Sequence, residues 1–145
     1  MQRSANIVWK GSGPEGSGTI TMQSGAFKDQ PYGAKARFQS EDGKAGTNPE
    51  ELIAAAHASC FSMALAFRLT NAGHPPAELR TEAKVDLEKK DAGWVIPASH
   101  LVVRAKVPGI DPNKFAELAA DAKANCPVSK ALGAIEITLD AKLDE

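Results

Sequence analysis

Thr47-Asn-Pro-Glu-Glu-Leu-Ile-Ala-Ala-Ala-His-Ala-Ser-Cys-Phe-Ser-Met-Ala-Leu65 decides how the rest of the chain is read. Asn48 offers an N-cap oxygen, Pro49 suits the first helical position, and Glu51 stands three residues after Asn48 as in a capping box. The spacing predicts one helix from there to about Asn71, stopped by Gly73 and the Pro75-Pro76 pair. From Leu52 to Leu69 only His57, Ser59, Ser62 and Arg68 are polar, so a membrane span has to be weighed. A spanning helix needs about 20 strongly apolar residues. Much of this run is alanine, with Glu50, Glu51, His57 and Arg68 in or beside it. Such a helix fits the centre of a soluble core better.

Working outward, the N-terminal third reads as strands. Ala5–Trp9 is short and apolar, Gly11–Gly18 is a loop, and Thr19–Met22 and Lys35–Gln39 carry strand-like residues separated by Gly25, Pro31 and Gly33. After the long helix, Leu79–Glu88 and Trp94–Val107 flank Asp91-Ala-Gly93 and predict a hairpin. Asp111-Pro112 opens a second helix to about Ala124, and Pro127 starts a short turn reaching Leu132. Alternation from Ile135 to Leu143 predicts a half-buried strand. The order predicts an α+β fold, largely antiparallel, in a single domain over residues 1–145.

Composition narrows the partners. The chain has 145 residues, 43% hydrophobic and 24% charged, with a net charge of −1 at pH 7. Its lysines and arginines are scattered, which argues against nucleic acid or an anionic membrane as partner. Met1–Lys10 lacks the apolar centre of a signal peptide, so a cytoplasmic, reducing setting is expected. Two cysteines there point to reactive or inert thiols rather than a permanent staple.

Cys60 lies within the small-residue helix, where a free cysteine is more often a buried core thiol. His57, one turn earlier, either lowers the thiol's pKa or is a satisfied core histidine, the commoner role. Cys126 precedes Pro127 at a helix start, where amide groups favour a thiolate, unless it is simply a small apolar residue at a junction. Together the two suit a dithiol cycle in which peroxide makes a sulfenic acid that a second thiol closes to a disulfide. Spacing alone does not bring them together. His57 and Cys60 are a weak metal pair, and no phosphate loop, nucleotide fingerprint or nucleophile elbow is present.

Gln30-Pro-Tyr-Gly33 with Ala36-Arg-Phe38, the Thr47–Leu65 stretch, Val107-Pro-Gly-Ile-Asp111 and Asn125-Cys-Pro-Val-Ser129 together resemble the OsmC/Ohr family, on its OsmC branch. The resemblance implies an intertwined α+β homodimer around a central buried helix. It implies reduction of organic hydroperoxides, and more weakly of hydrogen peroxide, without a cofactor or metal. An external thiol resets the enzyme, a dithiol such as a lipoyl protein among the candidates. Carried over by motif, Cys60 is the peroxidatic thiol, Cys126 the resolving one, and Glu50 the active-site glutamate. Gly16-Ser-Gly-Thr19 contains no arginine where the Ohr branch has one. The OsmC branch uses the later strand, which points to Arg37.

Guanidinium near Cys60 stabilises a thiolate, and a carboxylate fixes the guanidinium by a bidentate pair. Phe61, Met63, Leu65 and Phe67 either line an entrance for apolar peroxides or pack the core. Glu50 and Cys60 share one helix, about 15 Å apart along its axis and some 80° apart around it. Unless Arg37 spans that gap, another copy of the helix has to bring its N-terminus alongside, as antiparallel helices in a two-fold dimer would. Two other functions compete: a non-catalytic module binding an apolar ligand, and a disulfide reductase, although no Cys-x-x-Cys pair is present.

Overall fold

The computed structural model describes Met1–Asp144, in two compact units, Met1–Leu52 and Ile53–Glu145. In the first, β1 (Ala5–Lys10), β2 (Ser17–Met22) and β3 (Gln30–Gly33) form an antiparallel sheet in that order. The predicted loop over Gly11–Gly18 is the β1–β2 turn only as far as Gly16; Ser17 and Gly18 already pair in β2. Gly18 lies so close to the Val8 carbonyl that a Cβ there would sit 1.8 Å from its oxygen. Pro31 is tolerated because β3 is an edge strand, where a missing N–H breaks no second ladder.

Lys35–Gln39, expected as strand, is instead helix: α1 spans Ala34–Phe38. Ala-Lys-Ala-Arg is a run of strong helix formers, and five residues are too few for a period to show. Arg37 therefore projects from a helix.

The long helix forms as predicted. α2 spans Pro49–Asn71, the Glu51 N–H donates to Asn48 Oδ1 at 2.8 Å, and Gly73 supplies the left-handed exit at φ 85. Its length and composition suffice to cross a membrane, with 22% of the apolar window buried. Buried His57, Phe61, Leu65 and Leu69 recur every fourth residue along one stripe. On other faces Met63 and Phe67 are 62% and 64% exposed.

In the second unit, β4 (Glu78–Val85), β7 (Ala98–Lys106) and β8 (Glu136–Leu143) form a sheet with β7 central. The predicted hairpin is interrupted: β5 (Glu88–Lys90) and β6 (Gly93–Val95) make their own two-stranded ribbon at its tip. Pro97, unable to donate to a ladder, lies between β6 and β7. β8 runs parallel to β7, whereas the other strand pairs among the described residues are antiparallel. Helices α3 (Pro112–Asn125) and α4 (Pro127–Ala131) fill the crossover that parallel pairing requires. Asp111 Oδ1 caps α3 by accepting from the N–H groups of Asn113 and Lys114.

The core of this unit joins three faces. Phe61, Leu65 and Leu69 of α2 meet Leu101, Val103 and Ala105 of β7, and Phe115, Ala119 and Ala122 of α3. Each large side chain so buried contributes about 1.5–3 kcal/mol of transfer free energy.

Candidate active site

The α2 stripe and the β7 row each begin with one polar residue. His57 precedes Phe61, Leu65 and Leu69 on the helix, and Ser99 precedes Leu101, Val103 and Ala105 on the strand. These two polar ends meet. Nδ1 of His57 lies 2.7 Å from Ser99 Oγ, and Nε2 lies 2.9 Å from Ser129 Oγ on α4. Both nitrogens are satisfied, although the ring is fully buried. Burial holds its pKa below the ordinary value, so the neutral imidazole is the resident form.

Cys126 stands between α3 and α4. Its N–H donates to the Ala122 carbonyl, ending one helix, and its side chain caps the next. Sγ accepts from the Ser129 N–H at 3.2 Å and also shares a hydrogen bond with Ser129 Oγ at 3.2 Å. The thiol is wholly enclosed.

Cys60, one turn beyond His57 on α2, is half-buried and packs against the core cluster to which Cys126 belongs. Burial pushes its pKa up; the Val128 amide opposes this, while neighbouring Cys126 adds to it. The two cysteines therefore meet through the fold, with Cys60 as the more accessible sulfur.

Arg37 and Glu50 meet in the first unit. Nη2 donates to Glu50 Oε1 at 2.7 Å and Nε donates to Oε2 at 3.3 Å, a two-point pair. Glu50 lies in the first turn of α2 and is 7% exposed, so its orientation is tightly fixed. The guanidinium also sits 4.9 Å from the Phe38 ring centroid. Beside it opens a 380 Å³ cavity lined by Trp9, Tyr32, Gly33, Arg37, Phe38 and Pro49. The rings of Trp9 and Tyr32 pack at 5.4 Å.

Of the four residues chosen from sequence, the structure pairs Cys60 with Cys126 in one unit and Arg37 with Glu50 in the other. Phe61 and Leu65 are core residues, whereas Met63 and Phe67 face outward. Sequence reading missed Ser99, Ser129 and the Trp9–Tyr32 wall. Ser129 carried a usable signal, since it stands three residues after Cys126, at capping distance. Among the described residues no three His, Cys, Asp or Glu side chains are grouped to hold a metal ion.

Known proteins share this architecture. The family model described as OsmC-like protein matches residues 41–140. Peroxiredoxin OsmC of Escherichia coli is 50% identical over 143 residues, covering 99% of this chain and 97% of its own. Organic hydroperoxide resistance protein OhrB of Bacillus subtilis is 36% identical over 105 residues, 70% of this chain and 74% of its own. The OhrB crystal structure gives a TM-score of 0.72 at 32% identity, covering 96% of this chain and 98% of that one. An OsmC-like protein from Vibrio cholerae shares the fold, with a TM-score of 0.77 at 16% identity over 98% of this chain and 99% of that one. By sequence and by fold alike, the chain belongs to the OsmC-like protein family.

Proposed function

We propose that the protein is a thiol-dependent peroxidase that reduces organic hydroperoxides, and hydrogen peroxide more weakly, in a reducing cytoplasmic setting. One observation carries the reading: a half-buried thiol, Cys60, packed at the core cluster that holds a wholly buried thiol, Cys126, near enough for Cys126 to push its pKa up. The names of two relatives, peroxiredoxin and organic hydroperoxide resistance protein, support it.

In the first step the Cys60 thiolate attacks the terminal peroxide oxygen. An S–O bond forms, the O–O bond breaks, and the alkoxide leaves and is protonated to an alcohol. Cys126 then attacks the sulfenic sulfur, forming the disulfide and releasing water. An external dithiol, a lipoyl protein for example, returns both thiols.

Thiolate chemistry at Cys60 has to overcome the upward push of burial on its pKa. Arg37, held by Glu50, is the group assigned to that task and to the developing charge on the leaving oxygen. Helical geometry separates Glu50 from Cys60 of the same copy. In this reading the protein is a homodimer, and Arg37 and Glu50 of one copy serve Cys60 of the other. The exposed Met63 and Phe67 on α2 belong to the surface such a dimer covers. The aromatic cavity beside Arg37 offers the alkyl group of an organic peroxide an apolar seat.

A peroxide-consumption assay with a dithiol donor tests the function. Wild-type protein should turn over; Cys60→Ser should be inert; Cys126→Ser should oxidise once at Cys60 and recycle poorly. Full activity in Cys60→Ser rejects the reading. No consumption by wild type favours the apolar-ligand module instead.

A further inference from the structure

His57 is the buried titratable group that the two-thiol cycle leaves without a task. Its surroundings are more specific than core filling requires. Four side chains form an unbroken hydrogen-bonded line: Ser99 Oγ, 2.7 Å, His57, 2.9 Å, Ser129 Oγ, 3.2 Å, Cys126 Sγ. His57, Ser99 and Cys126 have no exposed surface, and Ser129 has 5%. The line can carry its protons in either direction, and one direction points away from the thiol. In that direction the Cys126 S–H donates to Ser129 Oγ, the Ser129 O–H donates to Nε2, and Nδ1–H donates to Ser99 Oγ. The line ends on the thiol that lacks direct access to solvent.

We propose that His57 is a positioning residue that acts through Ser129 to take the proton from Cys126 as that thiol closes on oxidised Cys60. The proposal rests on the reading of Cys60 and Cys126 as a reacting pair. A buried thiol has no water to receive its proton, and the thiolate is the nucleophile. In the closing step Cys126 Sγ bonds to Cys60 Sγ and the Cys60 S–O bond breaks. Cys126 sulfur is oxidised and the sulfenic sulfur reduced. The departing hydroxide receives the proton that Cys126 gave up, and water leaves. During the step that proton occupies the Ser129–His57 line, while the Ser129 N–H steadies the thiolate at 3.2 Å. The relay uses the tautomer in which Nδ1–H donates to Ser99 Oγ and Nε2 accepts. Against His57, β7 presents the neutral Ser99, and α4 with its cap presents Ser129 and Cys126. The titratable groups of the cluster are therefore His57, Cys60 and Cys126.

Closure is tested without peroxide by labelling the intact protein with dithionitrobenzoate. Cys60 thiolate takes one thionitrobenzoate, releasing the first chromophore. Cys126 then attacks the Cys60 sulfur, and the second chromophore leaves as the disulfide forms. The second release isolates the step in question. His57→Gln and Ser129→Ala should each slow it about 10²-fold, the low end for proton transfer by a positioned group. In both, the rate should acquire a roughly tenfold rise per pH unit below the ordinary thiol range. The double variant should be no slower than either single, because the residues act as one line. Ser129→Thr, which restores the hydroxyl, should recover most of the rate. If His57→Gln does not fold, as judged by circular dichroism, Ser129→Ala and Ser129→Thr carry the test. A normal second release in Ser129→Ala, or additive losses in the double variant, overturns the relay. Absence of a second release in wild type overturns the Cys60–Cys126 pairing and the relay with it.

Discussion

The two units handle polarity in opposite ways. In the first, a full positive and a full negative charge face each other at 2.7 Å, Arg37 about one-third exposed and Glu50 almost covered. In the second, the hydrogen-bonded line that reaches Cys126 is neutral and enclosed: an imidazole, two hydroxyls and a thiol. Charge acts at a distance and tolerates some looseness. A hydrogen-bonded line acts only while each link is made. The first arrangement suits stabilising an anion on an incoming molecule, and the second suits moving a proton without solvent.

Mixing the halves of the site gives the largest expected effect. Inactive Glu50→Ala and Cys60→Ser proteins, unfolded and refolded together, should form heterodimers with one intact site. Each should show about half the wild-type activity of a dimer. No recovery, with heterodimers verified by native mass spectrometry, would place the charge pair and the thiol in one subunit's site.

A smaller effect separates Arg37 from the other arginines. Arg37→Ala should raise the Cys60 pKa and slow its oxidation about 10²-fold, the usual scale for losing one charge-stabilising donor. Arg68→Ala and Arg80→Ala should do far less, since those side chains pair with Asp121 and Glu78 on the surface. The rate of Cys60 alkylation against pH measures this. An unchanged profile in Arg37→Ala discards its assignment.

The smallest effect concerns the neutral line. With its folded pKa held below the ordinary value, His57 binds fewer protons folded than unfolded. Its contribution to stability is thus complete at neutral pH. It declines as pH falls through about 6.5, the unfolded histidine value, and levels off below the folded pKa. Wild-type protein should lose melting temperature across that window, and His57→Gln should show a shallower slope. Parallel slopes would mean that other groups dominate the acid limb.

Local chemistry explains which features the sequence disclosed. Asn48, Pro49 and Gly73 act within one turn of the elements they bound, so α2 could be read directly. α1 was misread because its five residues are shorter than the window in which helix and strand periods diverge. The parallel direction of β8 depends on where α3 and α4 deliver the chain, which alternation in Ile135–Leu143 does not encode. The site divided similarly. The two cysteines stood out as residues and the family resemblance added Glu50 and Arg37, yet only the fold brings the cysteines together. Ser99 escaped notice because its meaning lies in its row: a hydroxyl on the face shared with Leu101, Val103 and Ala105 needs a buried partner.

Cys126 is fully enclosed and Cys60 is not, so in the proposed cycle a reductant arriving from solvent would meet one sulfur of the oxidised pair. Exchange at a disulfide has a direction: the attacked sulfur keeps the newcomer and the other departs. Here the external thiol should become joined to Cys60, and Cys126 should be the leaving group. Shape at the rim of Cys60 would then select the reductant. In that cycle burial would set the regiochemistry of repair as well as shelter the second thiol.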